Sequence, residues 1–258
     1  MKRVIFNQKG GVGKSSISVN LAAIAAKSGR KTLLIDMDPQ CNASRYLMGD
    51  AAASLAPTLA DYFKKSLDFQ FYPTPDIDYV HPTPFDNLFL IPSHPDIGDL
   101  QSKLESRHKI YKLRDSLNKL AEDFEEILID TPPAYNFFSQ SALIAADVCL
   151  IPFDCDDFSR QSLYTLLNNL KEIQADHNRD LAIEGIVANQ FQARASLPQR
   201  LVAELLEEKL PVLNTKLSSS VKMRESHGLN LPLVHMDANH KLTREFVQLY
   251  QELQGAAA

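Results

Sequence analysis

Two lysines bracket a run of glycines near the amino terminus, in Asn7-Gln8-Lys9-Gly10-Gly11-Val12-Gly13-Lys14-Ser15-Ser16. The apolar run Arg3 to Asn7 reads as a strand, and the alanine-rich stretch Lys14 to Ser28 as a helix closed by Gly29, since glycine suits the left-handed cap position. Strand, glycine turn and helix start form the context a phosphate site needs. The glycines allow a tight turn that aims backbone N–H groups inward, and the helix start adds positive potential. Gly13 offers no side-chain cap, so a bound phosphate can satisfy the first N–H groups of the helix. Lys14 would neutralise β and γ oxygens, Ser15 would ligate magnesium, and Gly10, Gly11, Val12, Gly13 and Ser16 would complete the cradle. The usual loop has glycine six residues before its lysine, where this chain has Gln8.

Three carboxylates stand at the ends of later apolar runs. In Leu33-Leu34-Ile35-Asp36-Met37-Asp38, alternation along a strand puts Asp36 and Asp38 on one side, where a pair can organise magnesium and water. A turn or helix cap is the plainer role for Asp36. Ile127-Leu128-Ile129-Asp130 runs into Thr131-Pro132-Pro133. Its apolar approach makes an ionised Asp130 costly unless a cation or donors compensate, and magnesium, through water, is the obvious compensator. An aspartate beside prolines also marks an ordinary turn. Gly185-Ile186-Val187-Ala188-Asn189 ends on an amide that can pair with the donor and acceptor edges of adenine.

These segments, in this order, resemble the deviant Walker A ATPases of the ParA/MinD family, whose loop opens with a second lysine, here Lys9. The resemblance implies an α/β fold of P-loop type, a mostly parallel central sheet flanked by helices on both faces, with ATP and Mg2+ as cofactors. It implies that Lys9 reaches across a homodimer interface to phosphates held by the other subunit. Asp38 would position or activate the attacking water, with Asp36 supporting the metal and Asp130 standing as the Walker B carboxylate. Asn189, and with less support Pro232, would contact adenine. Cys41 replaces the family's usual glycine. Asn7-Gln8 and Asp38-Pro39-Gln40-Cys41-Asn42-Ala43-Ser44 look more like the Soj-like ParA branch than the MinD branch. That branch implies ATP-dependent dimers that bind DNA without sequence preference, and a ParB-like partner that stimulates hydrolysis, for DNA partitioning or cargo positioning. A MinD-like membrane-associated ATPase and a metabolic ligase on the same fold are the alternatives. An electron-transfer protein like the nitrogenase iron protein would need exposed cluster cysteines, and Cys149 in an apolar run and Cys155 between Asp154 and Asp156 do not look like ligands.

The elements that must position these groups follow from pattern. Strands are expected at Arg3 to Asn7, Thr32 to Asp36, Leu88 to Pro92, Ile127 to Asp130, Val148 to Pro152, Ile183 to Asn189 and Val212 to Thr215, with helices between. The chain reads as one domain over residues 1–258, with an irregular insertion at about 50–96 broken by Pro57, Pro73, Pro75, Pro82, Pro84, Pro92 and Pro95, and a frayed Gly255-Ala256-Ala257-Ala258 end. Apolar residues at 45% and charged residues at 23% fit a globular protein with a substantial core. An odd three cysteines at unrelated spacings argue against a disulfide framework or zinc site and for a reducing cytoplasm. No run approaches the roughly 18 apolar residues of a membrane span, and Lys9 comes too soon for a signal peptide. The start at the phosphate strand leaves no room for a helix-turn-helix domain ahead of it.

A net charge of -5 gives no global sign of nucleic-acid binding. The stretch from Gln190 to Arg224 runs the other way, with six basic residues against three acidic ones. Arg194, Arg200, Lys216, Lys222 and Arg224 are its candidate DNA contacts, which would associate the protein with the nucleoid, and an ordinary solvated face is the plain alternative. In the last helix Leu242, Phe246, Leu249, Tyr250 and Leu253 share one face while Lys241 and Arg244 balance Glu245 and Glu252, the pattern of a core helix and not of a membrane anchor.

Overall fold

A strand covered on both faces needs apolar side chains at every position, and Val4-Ile5, Leu33-Leu34-Ile35, Ile127-Leu128-Ile129 and Leu150-Ile151 supply them. In the computed structural model, which describes residues 1–69, 71–72, 74–155 and 159–256, seven strands form one sheet in the order β3-β4-β2-β5-β1-β6-β7. They are β1 (Lys2–Ile5), β2 (Thr32–Asp36), β3 (His81–Pro82), β4 (Leu88–Ile91), β5 (Glu126–Asp130), β6 (Val148–Asp154) and β7 (Ala182–Asn189). All neighbours are parallel except β3, which is antiparallel to β4.

Alternation sorts the strand residues into two cores. Val4, Leu33, Ile35, Ile127, Ile129 and Ile151 pack with helices α3 (Leu59–Leu67), α4 (Gln101–Ser106), α5 (Lys112–Leu120), α6 (Phe137–Ala145), α7 (Ser159–Asp176) and α8 (Ser196–Glu207). Ile5, Leu34, Leu90, Leu128, Leu150 and Val187 pack with α1 (Lys14–Lys27), α2 (Asn42–Met48), α10 (Leu233–Met236) and α11 (Lys241–Ala256), and Met223 of α9 (Val221–Gly228) rests on the same core. Helices therefore flank both faces, as expected. The strands' carboxyl ends lie along one edge of the sheet, where ligands of open parallel sheets bind.

Six expected strands form within one or two residues of their predicted bounds, and α1 ends at Lys27 with Gly29 at φ 95. Val212–Thr215 does not form a strand. That segment makes one bridge, Ile186 to Val212, and Phe191 to Ser218 makes another. Leu213 packs so close to Gly185 that a Cβ there would meet it at 2.6 Å, and the segment follows the outer edge of β7 through scattered backbone bonds without a continuous ladder. Within 50–96, β4 joins the sheet beside β2, and Leu59, Ala60, Phe63 and Tyr79 are buried. The chain end is helical through Ala256. Pro73, Asp156, Ala257 and Ala258 lie outside the described residues. No disulfide joins the three cysteines, and each is buried.

At the opposite end of the sheet Arg3, 1% exposed, donates from Nε and Nη2 to both oxygens of Glu184 at 2.6 and 2.7 Å. Its Nη1 faces Glu126 at 3.6 Å, and Glu126 also accepts from Tyr250 and Gln254 of α11 and from Arg30. Removing one partner of a buried ion pair leaves the other charge uncompensated. Arg3→Met is expected to cost about 3–5 kcal/mol in urea denaturation; an unshifted midpoint would mean that solvent reaches the two glutamates.

Candidate functional site

Between β1 and α1 the backbone turns through Gly11 at φ 78 and Gly13 at φ 88. Gly13 is required twice over, since a Cβ there would also lie 2.3 Å from Asn189 Nδ2. That amide donates to Val12 O at 2.8 Å and Gln190 Nε2 donates to Gly11 O at 3.0 Å, so the end of β7 holds the back of the loop. Asn7 holds its entry, accepting from Lys9 N at 2.9 Å and donating to Pro152 O at 2.7 Å. Helix α1 begins with no side-chain cap and no acidic residue in its first turn, which keeps its positive end open to an anion. Lys14 is buried and curls back to donate from Nζ to Lys9 O at 3.1 Å, while the Lys9 ammonium lies 3.7 Å from Asp154 Oδ2, both about 30% exposed.

Sheet register sets Asp36 directly beside Asp130, both with no exposed surface. Asp36 accepts from Ser44 N and Oγ at 2.8 and 2.7 Å and from Asp38 N at 3.1 Å, so it shapes the turn that carries Asp38. These bonds tie Asp36 to the first turn of α2 and to the turn at Asp38. Asp38 lies beyond the end of β2, where Oδ1 accepts from Gln40 N at 2.9 Å. Asp130 accepts from Ser18 Oγ at 3.1 Å through Oδ1, whereas its Oδ2 is buried with no hydrogen bond. Burial pushes Asp130 up to about 8, with the Asp36 charge adding to it, and pushes Asp36 up to about 6 against the Ser44 bonds. Burial also raises Asp38 and lowers Lys14. An orphaned carboxylate oxygen beside a second carboxylate suits a hard divalent cation such as magnesium, which would satisfy that oxygen and offset the charge.

The shifts fix the sign of a pH effect. Both carboxyls have folded values above the ordinary carboxylate value of about 4, so their stabilising contribution is complete below that and is lost as pH rises through about 6 and then about 8. The thermal midpoint of the nucleotide-free protein should fall between about pH 5.5 and 8.5, and Asp130→Asn should flatten the upper part of that slope. A slope unchanged in the variant would assign it to other groups.

The loop opens into a cavity of about 540 Å³ lined by Gly10, Gly11 and Gly13 to Ser16 on one side and by Asp38, Arg45, Tyr46, Pro133, His227 and Asn230 on the other. Gln40 and Asn42 complete the wall. The sequence therefore locates the phosphate end and misses the facing wall from α2 and α9. Gln40 and Asn42 belong to the Asp38–Ser44 motif, whereas no local pattern marks His227 or Asn230. Pro232 caps α10 and lies off the cavity wall, and Asn189 stands behind the loop.

The basic stretch is less free than its composition suggests. Arg200 lies 3.6 Å from Glu204 and Lys222 lies 3.1 Å from Glu225, one residue past the stretch. Lys216 sits over the Phe191 ring at 5.5 Å. Arg194 and Arg224 are exposed.

A mostly parallel sheet in which the inner strand β1 feeds a glycine-and-lysine loop, with a buried aspartate at the end of the adjoining β5, defines a P-loop nucleotide-binding protein. Residues 2–183 match a family model described as an AAA domain. The chain is 32% identical over 251 residues to the chromosome partitioning protein ParA of Myxococcus xanthus, covering 96% of this chain and 86% of that one. It is 33% identical over 255 residues to the chromosome-partitioning ATPase Soj of Treponema pallidum, covering 97% and 95%. Apo McdA of Cyanothece superposes with a TM-score of 0.85 at 25% identity, over 100% of this chain and 99% of that one. The fold is also that of a McdA–ATP complex, with a TM-score of 0.82 at 24% identity and 99% and 94% coverage. MinD of Pyrococcus horikoshii with Mg-ADP shares it too, with a TM-score of 0.80 at 22% identity and 100% and 97% coverage. The chain belongs to the ParA/Soj family of partitioning ATPases, as its loop and carboxylates led us to expect.

Proposed function

We propose that this chain is a ParA-type ATPase that hydrolyses ATP to ADP and phosphate, pairs with a second copy of itself when ATP is bound, and in that state holds DNA without sequence preference. A ParB-like partner stimulates hydrolysis and release, and the cycle partitions DNA or positions a cargo on the nucleoid in the cytoplasm. The observation that carries this is the opposite disposition of two lysines five positions apart: Lys14 lies inside its own loop while Lys9 stands on the rim against Asp154. In this reading Lys14 serves the phosphates of its own subunit and Lys9 those of the partner copy. The Lys9–Asp154 pair is about 30% exposed on each side. Such a partly exposed pair is worth at most about 1 kcal/mol.

Lys14 and the amides of Gly10 to Ser16 hold the β and γ phosphates, Ser15 and Asp130 would hold magnesium, and Asp36 fixes the turn from which Asp38 orients the attacking water. Magnesium supplies charge compensation to the transferring phosphoryl group. Asn189, with Pro232 as the second, is the candidate adenine contact, and both stand outside the walls of the phosphate cavity, so adenine would extend beyond it. Arg194, Arg200, Lys216, Lys222 and Arg224 act as individually weak, salt-sensitive phosphate contacts whose number doubles in the dimer. The membrane-positioning alternative loses its support in α11, because Leu242, Phe246, Leu249, Tyr250 and Leu253 are all buried. Among the described residues no helix is long and apolar enough to cross a membrane.

DNA retention measured with ATP, with ADP and without nucleotide tests the proposal. Retention should require ATP and fall steeply with salt; equal retention in all three conditions would overturn it. ATP turnover that depends on a small acid, with DNA and partner proteins having no effect, would point to the ligase alternative.

A further inference from the structure

Helix α9 has little hold on the sheet. The segment before it is bonded to the outer edge of β7 and the residues just beyond, with bridges at Val212 and Ser218, and α9 itself is seated on α1 and α2. Ser16, the third residue of α1 and part of the cavity wall, is hydrogen-bonded through its hydroxyl to His227 Nε2 at 3.0 Å. The imidazole lies edge-on to Tyr46, centroids 4.4 Å apart. The Tyr46 hydroxyl in turn bonds the Ser226 hydroxyl of α9 and accepts from Asn20 Nδ2 at 3.1 Å. Asn20, one turn along α1 from Ser16, also donates to Ser16 O at 2.8 Å and accepts from Leu233 N, the start of α10, at 2.8 Å. These bonds all lead back to the first two turns of the helix that begins at the phosphate loop. The amino-terminal half of α9 carries Val221, 63% exposed, the partly buried Lys222 and the exposed Arg224, with Met223 turned back onto the core beside Tyr46 and Asn20.

A serine hydroxyl has one proton. An oxyanion in the cavity draws that proton toward itself, so the imidazole must then either donate to Ser16 Oγ or release it. We propose that His227 is a positioning residue that couples occupancy of the phosphate loop to the seat of α9, so that a phosphate engaging Ser16 shifts the helix bearing Lys222 and Arg224. The inference deepens the ATPase reading above and rests on it for the ligand. It names which side chain carries the message from nucleotide to basic surface.

The test is amide hydrogen exchange over residues 221–229, with and without ATPγS and magnesium at concentrations that saturate each protein. In the wild-type chain nucleotide should change exchange there by about fivefold or more, the lower end of measured coupling between sites. His227→Ala should lose that change. His227→Gln, whose side-chain amide can meet Ser16 as donor or acceptor, should keep it. An alanine variant that responds like wild type overturns the coupling, as does a wild-type α9 indifferent to nucleotide or a glutamine variant that behaves as alanine. ATP-dependent DNA retention by the wild-type chain is measured separately. Its absence would defeat the DNA reading while leaving the exchange result standing, and its presence with unresponsive α9 amides would defeat the coupling alone.

Discussion

Asp38→Ala is expected to bind ATP and to remain an ATP-bound dimer while turning over about a hundred- to ten-thousandfold more slowly, the range lost when a positioned general base is removed. Asp38 stands at the front of the loop on a turn built by other groups. Ser44 and the Asp38 amide hydrogen-bond to Asp36, and Gln40 N caps the Asp38 carboxylate. Alanine deletes the carboxylate and leaves that scaffold, Lys14 and the loop amides in place, so nucleotide affinity and chemistry should separate. Burial raises the Asp38 pKa, which favours a group able to take a proton from water. Single-turnover phosphate release, read beside sedimentation with ATP, measures both halves. Undiminished turnover would remove Asp38 from the reaction, and a monomeric variant would give it a place in the interface.

Lys9→Ala should give a folded protein that binds ATP and fails to dimerise on it. In the monomer the Lys9 ammonium stands on the rim near Asp154, so its loss takes nothing from the core. At a closed interface it becomes one partner of a desolvated charge pair, and truncating such a partner costs about 2–5 kcal/mol, a weakening of roughly thirtyfold to several thousandfold in dimer affinity. Lys14→Ala gives the contrast, since Lys14 is buried over its own loop and its loss should abolish nucleotide binding before any question of dimers arises. Sedimentation with a slowly hydrolysed ATP analogue separates the two lysines. A Lys9→Ala chain that still sediments as an ATP-dependent dimer would end the view that nucleotide bridges two copies through this residue.

Much of the scaffold is written in local pattern. The runs that become β2, β5 and β6 are apolar at nearly every position because both faces are covered, and the loop lysines, glycines and serine are adjacent in the chain. Their chemistry is fixed by distances that a single turn cannot alter. The outer edges are harder to read. Pro82 disguises β3, a strand of two residues, and Val212 to Thr215 has strand composition, but the chain there and just beyond bonds to the outer edge of β7 only at intervals, through Ile186 and then Ala188 and Phe191. Propensity names what a segment tolerates, and the neighbour decides what it becomes.

The sequence by itself determined the phosphate loop, the ends of the strands that carry Asp36, Asp38 and Asp130, and hence the family, since each depends on residues close together in the chain. Tertiary structure alone decided which groups face one another. Register set Asp36 beside Asp130 and left one oxygen of Asp130 bare. Folding brought His227 to Ser16 across 211 positions and set Lys222 against Glu225 on a face that composition alone marked as basic. Burial, pairing and orphaned atoms are properties of neighbours in space, and a list of residues does not contain them until the chain has closed on itself.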